Sequence, residues 1–161
     1  MDWVFLAALV ATLIPIAAFD FRDLIIPDWL NLVLATFGLL YGIVTQGTFP
    51  WASLVFAVLV FLGFWFARLG YQRLRGKPGL GFGDVKMAGG SALWFSPWNL
   101  PLFLLTASVS ALIFVALVRM TTGRRPDEAR IPFGPFIGVG LFVTWALERS
   151  MLPTFIPDKG Y

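Results

Sequence analysis

Two aspartates lie at the edges of long apolar runs, where a carboxyl group could do chemistry. Asp20 directly follows the run that ends Ala17-Ala18-Phe19, and Asp84 lies in Gly81-Phe82-Gly83-Asp84, at the start of another run. A carboxyl group can serve as a general acid or base in hydrolysis, and it can also carry protons or ions through a membrane. An ionisable group below a membrane surface is costly and is a candidate functional residue by default.

The composition excludes several classes of catalytic and metal site. The chain of 161 residues contains no cysteine and no histidine. Their absence excludes Cys–His and Ser–His–Asp catalysis and the usual zinc sites built on His and Cys. The sequence indicates no metal site, and no metal or other cofactor is predicted.

The composition also indicates a membrane protein. Hydrophobic residues make up 58% of the chain and charged residues only 13%, whereas soluble domains carry about 25% charged residues. The net charge is +3, but the basic residues lie between apolar runs. We therefore expect contacts with membrane lipids and no nucleic-acid partner.

Six apolar runs predict an all-α, polytopic membrane bundle of about six transmembrane helices, forming a single domain over residues 1–161. With flanking residues included, five of the runs approach the roughly 20 residues that cross a bilayer, and the fourth is short. Trp94 and Trp98, near the end of the fourth run, are expected to anchor at the outer interface. The runs fall at 2–19, 29–46, 51–67, 85–98, 101–118 and 133–148.

The basic residues predict the orientation of the bundle. Basic connections stay on the cytoplasmic side, so both termini are expected outside and both aspartates near the cytoplasmic face. The second and fourth connections carry no basic residue. The cations on the predicted cytoplasmic side are Arg22 in the first connection, Arg68, Arg73, Arg75, Lys77 and Lys86 in or beside the third, and Arg119, Arg124, Arg125 and Arg130 in or beside the fifth.

Simpler interpretations of the aspartates remain open from the residues alone. Asp84 could cap a helix, and Asp20 could be an interfacial charge beside Arg22 and Asp23. A small transporter or channel could use Asp20 and Asp84 for proton or ion passage, although no internal repeat supports it. An inactive scaffold is a third possibility. Lys86, two residues past Asp84, is interpreted as a pairing lysine rather than a nucleophile.

Three segments resemble the motifs of the type IV prepilin peptidases, a family of GxGD intramembrane aspartyl proteases. The first is Asp20 followed by Ile26-Pro27-Asp28, the second is Gly81-Phe82-Gly83-Asp84-Val85-Lys86, and the third is Pro132-Phe133-Gly134-Pro135. The resemblance extends over essentially the whole chain.

The resemblance implies an aspartyl endopeptidase whose catalytic pair is Asp20 and Asp84. It implies removal of the basic leader of a prepilin or pseudopilin precursor at the cytoplasmic face of the bacterial inner membrane. Larger family members carry a cysteine-bearing segment associated with N-methylation; this sequence has no cysteine and resembles the short form found with Flp-type pili. The matched residues that would shape the site or bind substrate are Pro27, Gly81, Gly83, Lys86, Pro132, Gly134 and Pro135.

The helix ends suggest which aspartate would start as the general base and which as the general acid. The positive end of a helix dipole favours a carboxylate, and the negative end favours a neutral acid. If the first helix ends near Asp20 and the fourth begins near Asp84, then Asp84 is expected to start as the base and Asp20 as the acid.

Overall fold

The structure, a computed structural model, describes residues 2–76, 79–122 and 132–150. These ranges contain six α-helices and no strand, which confirms the all-α prediction. The helices are α1 (Asp2–Asp23), α2 (Asp28–Gln46), α3 (Trp51–Arg75), α4 (Phe82–Ser91), α5 (Leu100–Thr122) and α6 (Gly134–Ser150), with a 3₁₀ turn at Pro97–Asn99 before α5.

Proline and glycine set several of the helix ends. Pro27 and Pro50 immediately precede α2 and α3. Proline lacks a backbone N–H, but at a helix start that N–H would have no partner within the helix. Gly47 and Gly76 follow the same two helices with φ values of 69° and 66°. Glycine adopts this left-handed conformation without steric cost and so ends a helix readily.

The outer helices have the character of membrane spans. Four stretches, in α1, α2, α3 and the 3₁₀ turn with α5, are long and apolar enough to cross a bilayer. Large apolar side chains on them face outward, such as Leu32 and Leu112, each 68% exposed. Outward apolar surface on helices of this length suits lipid rather than water. The chain is thus a polytopic helical membrane protein.

The fourth run differs from its prediction as a helix over 85–98. α4 begins at Phe82 and has 10 residues, or about 15 Å of helix, which cannot cross the hydrocarbon alone. Residues 92–96 leave the helix in a tight, largely buried turn. Trp94 was expected at the outer interface, and this is wrong: it is 1% exposed, and its indole N–H donates to the Leu34 carbonyl at 3.0 Å.

α4 is the buried centre of the bundle and packs against α2, α3 and α6, while α1 packs against α2 and α6. Gly89 of α4 makes the close packing against α3 possible, whereas a Cβ at Gly90 would be at ordinary van der Waals distance from α2. A Cβ on Gly89 would lie 2.9 Å from the Phe61 Cβ of α3, and one on Gly90 would lie 3.6 Å from the Ala35 Cβ of α2. The central helix therefore has a fixed position relative to its neighbours.

Two further expectations concern the basic connections. The stretch 68–75 was interpreted as part of a loop, but α3 continues through it to Arg75. The reason is that arginine and leucine favour helix, and their preference outweighs the cost of Gly70 inside it. Gly76, with a φ of 66°, then ends the helix. Lys77, Arg124, Arg125 and Arg130 lie outside the described residues.

Candidate active site

Asp20 lies in the last turn of α1 and points into the bundle. Its side chain is buried, and its Oδ2 accepts a hydrogen bond from the Gly134 backbone N–H at 2.8 Å. Directly after α1, Leu24 adopts a φ of 55°, a conformation that costs a branched residue roughly 1–2 kcal/mol. Its N–H still donates to the Asp20 carbonyl at 3.1 Å. This sharp turn begins the loop that carries Ile26 into the core.

Gly134 is the first residue of α6, so its N–H belongs to the free donors at a helix N-terminus. An anionic oxygen is well placed to accept from such a donor. A Cβ at this position would lie 3.0 Å from the Asp20 Oδ2, which explains glycine here. Pro132 lies just before α6 and Pro135 in its first turn, where proline is compatible with a helix start. The third motif therefore supplies the donor that holds Asp20.

Asp84 lies at the third position of α4 and is also buried. Its Oδ2 accepts from the backbone N–H of Gly81, the N-cap residue, at 3.1 Å. Asp84 therefore does cap its helix, as the simpler interpretation allowed. Its Oδ1 is buried and has no hydrogen-bond partner among the described residues. A buried acceptor without a partner is costly, and capping alone does not account for it.

The fold brings the two aspartates, 64 positions apart in sequence, to the same end of the bundle. Asp84 lies close enough to Asp20 for the charge of one to act on the other. The side chain of Ile26 lies between Gly83, which precedes Asp84, and Gly134, which donates to Asp20. A Cβ placed on either glycine would lie within about 3 Å of that side chain. The arrangement is two buried carboxyl groups at one end of the bundle, each held by one backbone N–H.

Comparison with known proteins identifies the family of the chain. The model of the type IV leader peptidase family matches residues 7–116, which include both aspartates. The chain belongs to the type IV leader peptidase family.

Several members of this family are similar over most of the chain. A prepilin leader peptidase/N-methyltransferase of Burkholderia pseudomallei (strain 1026b) is 34% identical over 134 residues, covering 82% of this chain and 42% of the relative. One of Aeromonas salmonicida (strain A449) is 32% identical over 162 residues, covering 96% of this chain and 55% of the relative. The chain thus spans about half the length of the relatives it matches. No solved structure matches it significantly.

Two buried residues beside the aspartates were missed by sequence reasoning. Asn31 is 6% exposed, and its Nδ2 donates to the Gly83 carbonyl at 3.3 Å. It joins α2 to the first turn of α4, next to Asp84. The available signal was a lone amide three residues after Asp28 in an apolar run. Ile26, 5% exposed, gave no signal because it is an ordinary apolar residue.

The remaining motif residues lie around the aspartates rather than between them. Lys86 forms an ion pair with Asp28 at 2.7 Å and lies 4.7 Å from the centre of the Phe82 ring. Because Lys86 follows Asp84 by two positions, it projects from another face of α4. Pro27 precedes Asp28 and starts α2. The ion pair therefore links α2 to α4 without touching Asp84.

A groove of about 500 Å³ lies between α2, α3 and α4, beside the Lys86–Asp28 pair. Its lining includes Asn31 but neither catalytic candidate. Within the described ranges, no three acidic side chains converge as a metal site would require.

Proposed function

We propose that this chain is an intramembrane aspartyl endopeptidase that removes the leader peptide of prepilin-like substrates. The observation that carries the proposal is that Asp20 and Asp84 are both buried at one end of the bundle, next to Gly134 and Gly83, which lie on either side of Ile26. Support comes from the family membership and from the names of the relatives, which are prepilin leader peptidases.

The proposed chemistry needs only the two carboxyl groups and one water. The carboxylate takes a proton from water as the water oxygen attacks the carbonyl carbon of the scissile peptide bond. The neutral carboxyl group gives its proton to the carbonyl oxygen, and a tetrahedral diol forms. When the C–N bond breaks, the departing nitrogen receives a proton from the group that was the base, and the other group regains one from the diol. Close buried carboxyl groups suit this exchange because they resist being ionised together.

The helix ends support a division of roles. Asp84, at the start of α4 with the Gly81 N–H on its Oδ2, suits the starting base. Its Oδ1, buried without a partner among the described residues, is the oxygen that would accept the proton once substrate and water enter the site. Both aspartates accept an N–H from the start of a helix, but only Asp20 also lies in the last turn of one, because α1 ends at Asp23. The negative end of α1 therefore makes Asp20 the better starting acid of the two. We assign one proton to the pair as a unit.

We propose that the site faces the cytoplasm in the bacterial inner membrane. The basic residues Arg22, Arg73 and Arg75 lie at the same ends of α1 and α3 as the aspartate site, and cytoplasmic segments are rich in such residues. A prepilin with a basic leader would then present its cleavage site to Asp20 and Asp84 from the cytoplasmic side.

Cleavage of a model prepilin by the purified full chain tests the proposal. We expect Asp20→Asn and Asp84→Asn each to lower kcat by about 1,000-fold or more, since each removes one proton-transfer group. Asp23→Asn is the matched control, because Asp23 lies three residues after Asp20 and its side chain is 47% exposed. Cleavage that survives both Asn substitutions would overturn the proposal, and proton or ion uptake into proteoliposomes without cleavage would favour a transporter.

A further inference from the structure

One apolar side chain lies between the structures that hold the two aspartates. Ile26 is in the loop between α1 and α2 and is 5% exposed. On one side, a Cβ placed on Gly83 would lie 3.0 Å from the Ile26 Cβ. On the other side, a Cβ placed on Gly134 would lie 2.8 Å from the Ile26 Cδ1. The two glycines are thus in close contact with opposite ends of the same side chain.

Each glycine is directly connected to one aspartate. Gly134 donates its N–H to the Asp20 Oδ2 at 2.8 Å, so a shift of Gly134 displaces Asp20. Gly83 immediately precedes Asp84, and its carbonyl accepts from Asn31 at 3.3 Å. Because close-packed interiors transmit small displacements, the length of the Ile26 side chain bears on both carboxyl groups.

We propose that Ile26 is a positioning residue that sets the separation of Asp20 and Asp84. It acts as a spacer between the start of α4 and the start of α6 and touches neither substrate nor water. The inference rests on the proposed function, since a set separation matters only for a pair that acts together. It also explains why both neighbours are glycine: Ile26 occupies the space that a larger residue would need.

The contacts allow a selective rescue experiment. Gly134→Ala would bring a methyl group against the Ile26 Cδ1, an atom that Ile26→Val deletes. Gly83→Ala would bring one against the Ile26 Cβ, which valine keeps. We therefore expect Ile26→Val to restore activity to Gly134→Ala but not to Gly83→Ala. The rescue is partial, because the Asp20 Oδ2 also lies 3.0 Å from the new methyl group.

The measurement is steady-state cleavage of a model prepilin by the purified full chain, with thermal unfolding recorded for every variant. We expect Ile26→Ala and Gly134→Ala each to lower kcat by about 100-fold with KM little changed, because a misplacement of about 1 Å costs that much. Ile26→Val combined with Gly134→Ala should recover about tenfold in kcat. Gly63→Ala is the control, because a Cβ there meets no atom within 4 Å.

The outcomes separate this inference from the proposed function. If the unmodified chain does not cleave prepilin, the proposed function fails. If it cleaves but Ile26→Val rescues both glycine variants equally or neither, the spacer role is wrong. It is also wrong if kcat falls only in proportion to the loss of folded protein.

Discussion

At each end of the bundle, a carboxylate accepts a hydrogen bond from a backbone N–H, but the two carboxylates differ in how many of their oxygens have a partner. At the aspartate end, the Asp84 Oδ2 accepts from Gly81 and the Oδ1 is buried without a partner among the described residues. At the other end, both carboxylate oxygens of Glu148 are used. They accept from the Ser96 N–H at 3.1 and 3.0 Å, and one also accepts from the Asn99 Nδ2 at 2.8 Å.

We expect this difference to separate a structural carboxylate from one that does chemistry. Glu148 lies 14 residues along α6 from Gly134, or about 21 Å of helix, and it joins α6 to the turn that follows α4. Its hydrogen bonds are satisfied, so it gains nothing from a proton or a water. Asp84 carries an oxygen whose burial without a partner is costly, and a catalytic role is one explanation for such a cost.

Neutralising Asp84 tests this comparison most strongly, with kcat and the thermal unfolding midpoint as the two measured quantities. Asp84→Asn should lower kcat for prepilin cleavage by about 1,000-fold or more. The thermal unfolding midpoint should stay the same or rise, because the amide oxygen can still accept from Gly81 and the buried charge is gone. A large loss of stability would mean that Asp84 is mainly a structural cap.

The packing at the Glu148 end gives the next largest effect. A Cβ on Gly38 would lie 2.7 Å from the Trp94 Nε1 and 2.8 Å from the Leu93 Cβ. We expect Gly38→Ala to lower the free energy of unfolding by up to about 3 kcal/mol through overpacking. Gly63→Ala, with open space at its Cβ, should be neutral or slightly stabilising. Equal effects in denaturant unfolding would show that this end is not tightly packed.

Substituting Glu148 itself sharpens the contrast with Asp84. Glu148→Gln should lower the free energy of unfolding by about 2 kcal/mol, because a charged acceptor of three hydrogen bonds becomes neutral. Cleavage per folded molecule should be unchanged. The same activity assay and unfolding measurement apply, and a loss of kcat without a loss of stability would contradict a purely structural role.

Much of this fold could be predicted from the sequence because lipid imposes a simple rule. A chain in hydrocarbon must satisfy its backbone within helices, so apolar runs indicate helices directly. Asp20 and Asp84 are conspicuous as charged residues at the edges of apolar runs, but only the resemblance to the prepilin peptidase motifs singled them out from Asp23 and Asp28. Hydropathy could not locate the end of α4, since Trp94 is equally apolar in a lipid-facing helix and in a buried turn.

The contacts that hold the aspartates depend on tertiary structure and leave little trace in the sequence. The Asn31–Gly83 hydrogen bond joins residues 52 positions apart, and the Gly134–Asp20 bond joins residues 114 apart. Ile26 looks like any other residue of an apolar loop until Gly83 and Gly134 are seen on either side of it. The motifs indicate which segments meet, whereas their spacing in sequence does not say which atoms touch.

Distance measurement in the membrane tests most directly whether Asp20 and Asp84 meet. The chain contains no cysteine, so paired cysteines can be placed at will and joined with a short thiol-specific cross-linker, then detected by mass spectrometry. We predict efficient linking of Asp20→Cys with Asp84→Cys and none of Asp84→Cys with Glu148→Cys. Failure of the first pair to link, while both thiols remain reactive, would contradict a shared site.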